Sequence, residues 1–565
     1  MATHVTRATS NRLSRTMRAL KMAGDDGLTS KQLANNTGTV APATSARWPR
    51  TLSVRESPAF ATRGFWAWEP RGNSEFFEWM ARNRMNLWTA ADTAFVPLMK
   101  KLAIRLSGGG HGIQAEFLDP ARYFRAHPEW YGLHGGRRSP AIGPEAGDNF
   151  CTSNAEARHQ LARGIVAALE GGSLRRADRL ELWMLDQGRW CECKACRAQG
   201  SPAERLLDVA GEVTAAADSA RRAGHLARPV SVVTLAYLET ARPPGHAVDG
   251  KPPAVTFYPY FRCYAHALAD PACTEINARL AAGYRGWRSA LPMGTGAWGV
   301  CEYYNVGAFK SLPLVFPHVM ARDLRWYRQT GATSFTYMHA PTRAWGSWTL
   351  NHALLARLLW DPGADPDSLV SRLCAEYYPG AVAPVRALFQ ELETASANIF
   401  ALQACAGVYG SPVPGGRLSQ QSLPVFPLLH LRETRSDPPR DDGPDLDEIE
   451  GAMVRARTRL EQAMGAARDP IVRVRLEDLE RRFAYGESVF QLYAGLIHTA
   501  VAHRSLDRTG AERAFASADR AAERLRAIRD LVQVAAAHAN ANDGLEASGV
   551  LRTYEFFRAL YGRRG

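Results

Sequence analysis

Strand-like segments alternate with amphipathic helical segments through the middle of this 565-residue chain. Eight short runs rich in β-branched and aromatic residues are each followed by a helical pattern, over roughly 310 residues. The predicted strands are 62–68, 86–90, 102–110, 179–186, 230–237, 254–261, 294–304 and 334–340. Eight consecutive strand–helix units predict an α/β fold, a (β/α)8 barrel of the TIM type. A doubly wound open sheet is the alternative, but no glycine-rich dinucleotide fingerprint follows the first strand.

The segments on either side of this pattern have a different composition. Residues 1–55 show no apolar periodicity and are expected to form a poorly ordered leader, so the predicted barrel domain spans 56–375. Residues 376–565 are rich in Ala, Leu, Arg and Glu with helical spacing, which predicts an all-helical C-terminal domain packed against the barrel. A Pro- and Gly-rich stretch near 410–445 is expected to be a loop or linker.

The formal charge of +13 comes mainly from Arg residues interspersed with Glu and Asp. That pattern favours a solvated surface over a nucleic-acid interface, and it suits an anionic glycan as a substrate. No window approaches the ~18 apolar residues of a membrane helix, so no membrane partner is expected. The first 27 residues lack the apolar stretch of a signal peptide, which predicts a cytoplasmic protein as written. A start further upstream would instead allow an extracellular or periplasmic location, and the sequence indicates no oligomeric state.

The active site of a (β/α)8 barrel lies at the carboxyl ends of the strands. Asp186 ends the fourth predicted strand and Glu302 lies near the end of the seventh. Two such acids suit sugar cleavage, in which one carboxyl protonates the leaving oxygen and another acts as nucleophile or stabilises the charged ring. The alternative is that each acid caps a helix or pairs with an Arg. The sequence does not decide which acid is the proton donor.

Aromatic and polar residues near the same strand ends are the predicted sugar-binding groups. Flat rings suit the apolar faces of a pyranose, a guanidinium suits a carboxylate, and a histidine after three glycines suggests close approach to a ligand. The predicted substrate-binding residues are Arg63, Trp66, Trp68, His111, Tyr237, Tyr260, Tyr303, Tyr304 and His339.

Three cysteines follow the fourth strand in the sequence WCECKAC. We expect Cys191, Cys193 and Cys196 to be buried thiols, or to form a disulfide that braces this loop, with no metal or cofactor. The alternative is a zinc site, whose fourth ligand would come from a remote cysteine such as Cys151, Cys263 or Cys273. A redox motif is less consistent with the sequence, because no thioredoxin-like context is visible.

Several motifs together resemble one known family. In chain order they are RGFWAW, WMARNRMNLW, GGGHG, YFRAHPEWYGLHGGRR, NFCTSNAEAR, LDQGRWCECKAC, FRCYAH, DPACTEIN, EYYN, FPHVMARDLRWY, LLARLLWDPGADPDSL and EYYPG. They resemble the bacterial proteins grouped as domain of unknown function 4838, from about Pro58 to Gly380. The most specific segments are HPEWYGL to CTSN, and WCECKAC.

The resemblance implies a glycoside hydrolase barrel that is similar to the α-glucuronidase type. Some members of the family are classed as endo-β-N-acetylglucosaminidases, in which the 2-acetamido group of the substrate acts as the nucleophile. The expected function is therefore hydrolysis of a glycan containing β-linked N-acetylglucosamine, with Asp186 and Glu302 in the acid/base role. An α-glucuronidase-like enzyme or a non-catalytic carbohydrate-binding barrel is the alternative. Two departures from relatives are His339, where an acid is expected, and the missing signal peptide.

Overall fold

The computed structural model describes most of the predicted barrel and most of the C-terminal helices. The described residues are 56–67, 74–89, 93–144, 146–186, 188–248, 252–260, 262, 266–274, 276–292, 298–304, 315–339, 348–396, 446–532, 551, 554–555 and 557–559. The predicted leader 1–55 and the Pro- and Gly-rich stretch 410–445 lie outside them.

A closed barrel of eight parallel strands forms the centre of the molecule. The strands are β1 (Thr62–Ala67), β2 (Leu87–Thr89), β3 (Arg105–Gly110), β4 (Arg179–Leu182), β5 (Ser231–Ala236), β6 (Ala254–Phe257), β7 (Trp298–Glu302) and β8 (Ser334–His339). Each pairs with its neighbours in chain order, and β8 closes the barrel against β1. The predicted (β/α)8 barrel and the position of each of its eight strands are confirmed.

Helices surround the barrel and continue beyond it. They are α1 (Ser74–Arg82), α2 (Val96–Lys101), α3 (Ile113–Phe117), α4 (Pro120–Tyr123), α5 (Ala155–Glu170), α6 (Lys194–Ala198), α7 (Pro202–Arg222), α8 (Ile276–Ala290), α9 (Pro317–Gln329), α10 (Trp348–Trp360), α11 (Pro366–Tyr377), α12 (Val382–Ser396), α13 (Leu446–Ala466), α14 (Pro470–Arg504) and α15 (Arg508–Val532). Side-chain caps determine where several begin: Asn154 accepts a hydrogen bond from Ala157 N at α5, and Ser201 forms a capping box with Glu204 at α7.

The pleat of each strand separates a lumen face from a face that packs on the helices. On β7, Trp298 faces outward and its ring lies 5.0 Å from that of Tyr284 on α8. Cys301 faces inward, where it lies beside Thr336 and near Glu181. Because side chains alternate, Glu302 faces outward and the next residue, Tyr303, faces inward. This alternation determines which predicted site residues reach the cleft.

Polar side chains fill the lower part of the barrel lumen. Arg179 pairs with Glu181 at 2.6 Å and donates hydrogen bonds to Thr256 Oγ1 at 3.0 Å and to Ser334 Oγ at 3.2 Å. Ser107 Oγ donates to Glu181 at 2.7 Å. These contacts join β3, β4, β6 and β8 across the lumen, and Arg179 and Glu181 are buried. We call this group the lumen floor.

The C-terminal helices share a continuous hydrophobic core with one side of the barrel. Tyr378 and Phe389 of the α11–α12 region belong to the same cluster of buried side chains as Phe335 of β8 and Leu460 of α13. Helices α14 and α15 make the most extensive helix–helix contact in the described chain. The boundary at residue 376 therefore remains a prediction about chain organisation. No helix among the described residues is both long and apolar enough to cross a membrane.

Candidate active site

Aromatic side chains surround the mouth of the barrel at the carboxyl ends of the strands. Five of them, His111, Trp183, Tyr237, Tyr258 and Tyr303, are each the first residue after a barrel strand. The group, which we call the aromatic wall, consists of these five residues with Trp66 and Tyr260. Trp66 stacks on Trp183 at 5.4 Å between ring centroids, and Tyr260 lies 4.8 Å from Tyr303. The wall provides flat apolar faces at one level of the barrel.

Asp186 lies in a turn beside the aromatic wall, four residues beyond the end of β4. Its side chain is partly buried, and its Oδ1 atom is buried without a hydrogen-bond partner in the part of the chain that the structure describes. Burial and the nearby charge of Asp186 raise the pKa of Tyr260 to about 12, and they raise the pKa of Tyr237 further. A buried carboxylate oxygen without a partner is costly in a folded protein, so it suggests a functional group.

The turn that carries Asp186 is held by one buried amide. Asn149 accepts a hydrogen bond from Leu185 N at 3.0 Å and donates one to Gly188 O at 2.9 Å. Gln114 donates to the same Asn149 oxygen at 2.9 Å and so fixes the orientation of the amide. The side chain of Asn149 therefore bridges both sides of the turn and positions Asp186 without contacting its carboxylate.

His111 reaches the wall, and Gly109, two residues before it, lies tightly against the adjacent strand. Its ring lies 5.0 Å from that of Trp183, and its Nδ1 atom is hydrogen-bonded to the carbonyl oxygen of Met184. Gly109 has a φ of +97°, and a Cβ atom there would lie 2.5 Å from the carbonyl oxygen of Glu181 on the adjacent strand. Strand pairing therefore requires a glycine at position 109.

Glu302 is not part of this cleft. It faces the layer between β7 and α9, where Arg262 Nη1 lies 2.6 Å from Glu302 Oε1 and the hydroxyl of Tyr327 donates to the same oxygen. Arg262 also pairs with Asp323 at 2.8 Å, and Tyr304 donates to Asp323 at 2.7 Å. The prediction that Glu302 shares the cleft with Asp186 is corrected, because the pleat turns its side chain toward the helices. We call these five residues, Glu302, Arg262, Tyr327, Asp323 and Tyr304, the buried ion cluster.

The buried ion cluster contains two carboxylates and one guanidinium. Glu302, Arg262 and Asp323 are completely buried or nearly so. Arg262 also donates to the carbonyl oxygen of His266 at 2.7 Å, and Asp323 accepts from Leu268 N at 2.6 Å. Burial raises the pKa of Glu302 to about 7 in spite of the opposing charge of Arg262. The cluster fixes the segment after β6 against α9, which is a structural role.

Arg63 lies at the opposite end of the barrel from the aromatic wall. It is the second residue of β1, and its guanidinium donates to the carbonyl oxygens of Arg84 at 2.7 Å and Phe60 at 2.6 Å. It also lies over the ring of Trp360. All these partners belong to the amino-terminal side of the strand. The prediction that Arg63 binds substrate is therefore corrected, because its donors are already used in holding the chain around β1.

The remaining predicted binding residues divide into three groups. Tyr237, Tyr260, Tyr303 and Trp66 belong to the aromatic wall, as predicted. Tyr304 is completely buried in the buried ion cluster, so it is not a surface for a ligand. Trp68 lies outside the described residues, and of His339 only the backbone, as the last residue of β8, is described.

A model of the family named Domain of unknown function (DUF4838) matches residues 33–391 of the chain. The match spans more than half of the sequence and includes the whole barrel. The chain belongs to the DUF4838 family. No curated protein matches the sequence. The resemblance inferred from HPEWYGL and WCECKAC is thus confirmed.

Solved structures resemble this DUF4838 protein at low sequence identity. One is a GH138 enzyme targeting pectin rhamnogalacturonan II, with a TM-score of 0.55, 9% identity, and coverage of 90% of this chain and 84% of that chain. Another is BtGH115A, a 4-O-methyl-α-glucuronidase, with a TM-score of 0.48, 12% identity, and coverage of 85% and 61%. CpGH89 from Clostridium perfringens has a TM-score of 0.47, 8% identity, and coverage of 86% and 56%. At such identities the likeness to the GH138 enzyme shows the fold alone.

Two members of the aromatic wall were not among the predicted binding residues, although Tyr258 was a candidate as an end residue of the sixth predicted strand. Trp183 and Tyr258 are almost completely buried, and their ring centroids lie 5.6 Å apart. The alternation along β4 carries the signal for Trp183, because Arg179 and Glu181 face the lumen and the next inward position is 183. Trp183 Nε1 is buried without a hydrogen-bond partner among the described residues. It is therefore a donor available at the base of the cleft.

The cysteines after β4 meet Cys151, which precedes α5 in the chain. In this DUF4838 barrel the sulfur atoms of Cys151, Cys191, Cys193 and Cys196 all lie within 4.8 Å of one another. All four are free thiols, so the predicted disulfide is not formed in this arrangement. Three of them are buried. Cys273 is a separate buried thiol, and Cys263 lies outside the described residues.

Proposed function

We propose that this protein is a glycoside hydrolase in which Asp186 is the catalytic acid/base at the mouth of the barrel. The observation that carries the proposal is the buried, unpartnered Oδ1 atom of Asp186 beside the aromatic wall, among the residues that the structure describes. A carboxyl group at this position can protonate a departing glycosidic oxygen and then remove a proton from the attacking water. Family membership and the barrel shared with a GH138 enzyme are consistent with this reaction.

The aromatic wall supports a carbohydrate as the ligand. Trp66 and Tyr260 retain partial exposure at the cleft, while Trp183 and Tyr258 behind them are buried. Exposed ring faces can pack on the C–H faces of a sugar, and the hydroxyls of Tyr237 and Tyr260 can donate hydrogen bonds. Burial raises the pKa of both hydroxyls, so each stays protonated at neutral pH and remains a donor.

We further propose a substrate that contains N-acetylglucosamine and reacts with help from its own acetamido group. The described cleft places Asp186 against rings and tyrosine hydroxyls, while the other predicted acid, Glu302, lies in the outer layer. Acetamide assistance suits this arrangement, because the substrate supplies the nucleophile and the protein supplies the acid/base. A uronate is less consistent with the cleft, since Arg63, the cation predicted to bind the carboxylate, lies at the other end of the barrel.

The test is a turnover screen of the full chain. Purified protein is incubated with a panel of N-glycans and glucuronoxylan fragments, and the products are identified by mass spectrometry. We expect cleavage next to an N-acetylglucosamine unit, and loss of cleavage in Asp186→Asn. Asp178→Asn is the matched control, because Asp178 lies at the opposite end of the same strand, where it accepts from Leu106 N.

Two results would contradict the proposal. Unchanged turnover in Asp186→Asn would exclude Asp186 as the acid/base. Binding of glycans by the wild-type protein without any cleavage would instead favour a carbohydrate-binding barrel. The acetamide step has its own test, which is inhibition by a thiazoline analogue of the cyclised sugar. An enzyme that cleaves its glycan but is insensitive to the thiazoline does not use that step.

A further inference from the structure

Four thiols from two separate loops converge at one point beside the barrel. Cys151 precedes α5, and Cys191, Cys193 and Cys196 follow β4. The Sγ atom of Cys151 lies 3.7 Å from that of Cys193 and 3.7 Å from that of Cys196. A disulfide has an S–S distance of about 2.05 Å, so these thiols are not paired with one another. Their convergence is independent of the aromatic wall and of Asp186.

The spacing of the sulfur atoms matches a tetrahedral metal site. Zinc–sulfur bonds of about 2.3 Å place the sulfur atoms of a tetrahedron about 3.8 Å apart. The Sγ atom of Cys151 lies 3.7 Å from those of Cys193 and Cys196, and all four sulfur atoms lie within 4.8 Å of one another. We propose that Cys151, Cys191, Cys193 and Cys196 bind one structural zinc ion.

The surroundings of the thiols suit a zinc tetrathiolate. Four thiolates around one Zn²⁺ leave a net charge of −2, so the sulfur atoms need hydrogen-bond donors around them. Leu133 N donates to Cys191 Sγ at 3.3 Å, Ser153 N donates to Cys196 Sγ at 3.4 Å, and Cys196 N donates to Cys193 Sγ at 3.4 Å. The guanidinium of Arg138 lies 3.9 Å from Cys191 Sγ and adds a positive charge.

The number of ligands indicates a structural ion instead of a catalytic one. Four protein sulfur atoms complete the tetrahedral coordination, whereas catalytic zinc keeps one position for water or substrate. A cluster of several iron atoms would hold its cysteines further apart, because inorganic atoms lie between them. A single iron ion could take the same geometry, so the metal itself must be measured.

The ion would join two loops that are already in contact. Arg189 pairs with Asp148 at 2.6 Å, and Asn149 holds the turn around Asp186. Cys151 lies two residues beyond Asn149, and Cys191 lies two residues beyond Arg189. The proposed zinc thus fixes the far ends of the same two segments. A zinc ion bound by the four sulfur atoms would brace this loop in place of the disulfide that the sequence suggested.

The experiment measures metal in the purified full chain. Protein produced in zinc-supplemented cells is analysed for zinc and iron by mass spectrometry, with the protein concentration from amino-acid analysis. We expect about one zinc per chain. Zinc should be released when a mercurial reagent blocks the thiols, as detected with a chromogenic chelator. Substoichiometric zinc, or iron in its place, would overturn the assignment.

Matched variants locate the ion. Cys151→Ser and Cys193→Ser should each lower the bound zinc several-fold, whereas Cys374→Ser should leave it unchanged. Cys374 is also a buried free thiol, but it lies on α11. Cobalt bound to the wild-type protein should show the visible absorption of a tetrahedral tetrathiolate. Full zinc content in both Cys151→Ser and Cys193→Ser would overturn the site.

The wild-type protein provides a second measurement that does not depend on the folding of a variant. Stripping of the metal by a chelator should increase deuterium uptake in residues 147–153 and 188–198, while the segments around α14 should be unaffected. Equal uptake with and without metal would contradict a bracing role. The inference does not rest on the proposed glycosidase activity, because none of these measurements uses a glycan.

Discussion

Two acids near the carboxyl ends of barrel strands, Asp186 and Glu302, have opposite environments. Asp186 faces the aromatic wall and has a buried oxygen without a partner among the described residues. Glu302 lies on the other face of the sheet, where Arg262 and the hydroxyl of Tyr327 contact the same carboxylate oxygen. A strand end alone therefore does not identify an active-site residue. The two acids differ in the face to which the side chain points and in whether its polar atoms already have partners.

The largest difference should appear in catalysis. Asp186→Asn should lower kcat by about 10²–10⁴-fold, the usual contribution of an acid/base group. Its folding free energy should change little, because Oδ1 has no described partner and the amide retains an oxygen that can accept from the Tyr237 hydroxyl. The measurement combines glycan turnover with denaturant unfolding. Wild-type turnover in this variant, or loss of activity only because the variant unfolds, would contradict the claim that Asp186 acts in catalysis while Glu302 acts in stability.

The buried ion cluster should instead respond through stability. Arg262→Met leaves two buried carboxylates without a cation and should destabilise the protein by about 3–5 kcal/mol. Glu302→Gln keeps the hydrogen-bonding shape and leaves Arg262 paired with Asp323, so its effect should be smaller. Denaturant unfolding of both variants tests this order. Equal stability of Arg262→Met and wild type would show that the cluster contributes nothing net.

Stability should also depend on pH through Glu302. Its pKa is raised from 4.5 to about 7 in the folded protein, so folding favours the protonated acid. The contribution to stability is complete below about pH 4.5 and decreases as the pH rises to about 7, by at most about 3 kcal/mol. Glu302→Gln is always neutral, so its stability relative to wild type should increase over this window. A constant difference between the two proteins from pH 4.5 to 7 would contradict the shift.

The smallest effect is expected from an exposed counterpart of the buried ion cluster. His318 on α9 lies 2.8 Å from Glu393 and 3.4 Å from Asp367, and the hydrogen bond to Glu393 raises the pKa of the imidazole to about 9. Its stabilisation is complete below about pH 6.5 and is lost as the pH rises through about 9. Because the side chain is 47% exposed, the effect should stay below about 1 kcal/mol. Thermal unfolding of His318→Gln at about pH 6 and about pH 9.5 measures it, and a larger loss at the higher pH would contradict this sign.

Local patterns were sufficient to predict the barrel and most of its wall. Strand length and composition are properties of short segments, so the eight strands could be located within a few residues. Tyr237 and Tyr303 could be placed in the wall from sequence, because each comes directly after a predicted strand core. Arg63 could also have been excluded from sequence, since it is the second residue of β1 and so lies at the wrong end of the barrel.

Other features depend on information that no short segment contains. The sequence does not show which face of a strand points into the lumen, and Glu302 was assigned to the cleft from its place near the strand end alone. Cys151 meets Cys196 only because two loops fold together, 45 positions apart in the chain. Arg262 and Asp323 form an ion pair across 61 positions, and nothing in their local sequence links them.

The lumen floor has a consequence for how a glycan could move. Arg179, Glu181, Ser107, Thr256 and Ser334 bridge the strands beneath the aromatic wall and close the barrel from below. A polymer cannot thread through such a barrel, because these described side chains block the lumen. Every substrate must arrive and every product must depart through the same opening, so chain cleavage here would take place by docking from one side and release to that side.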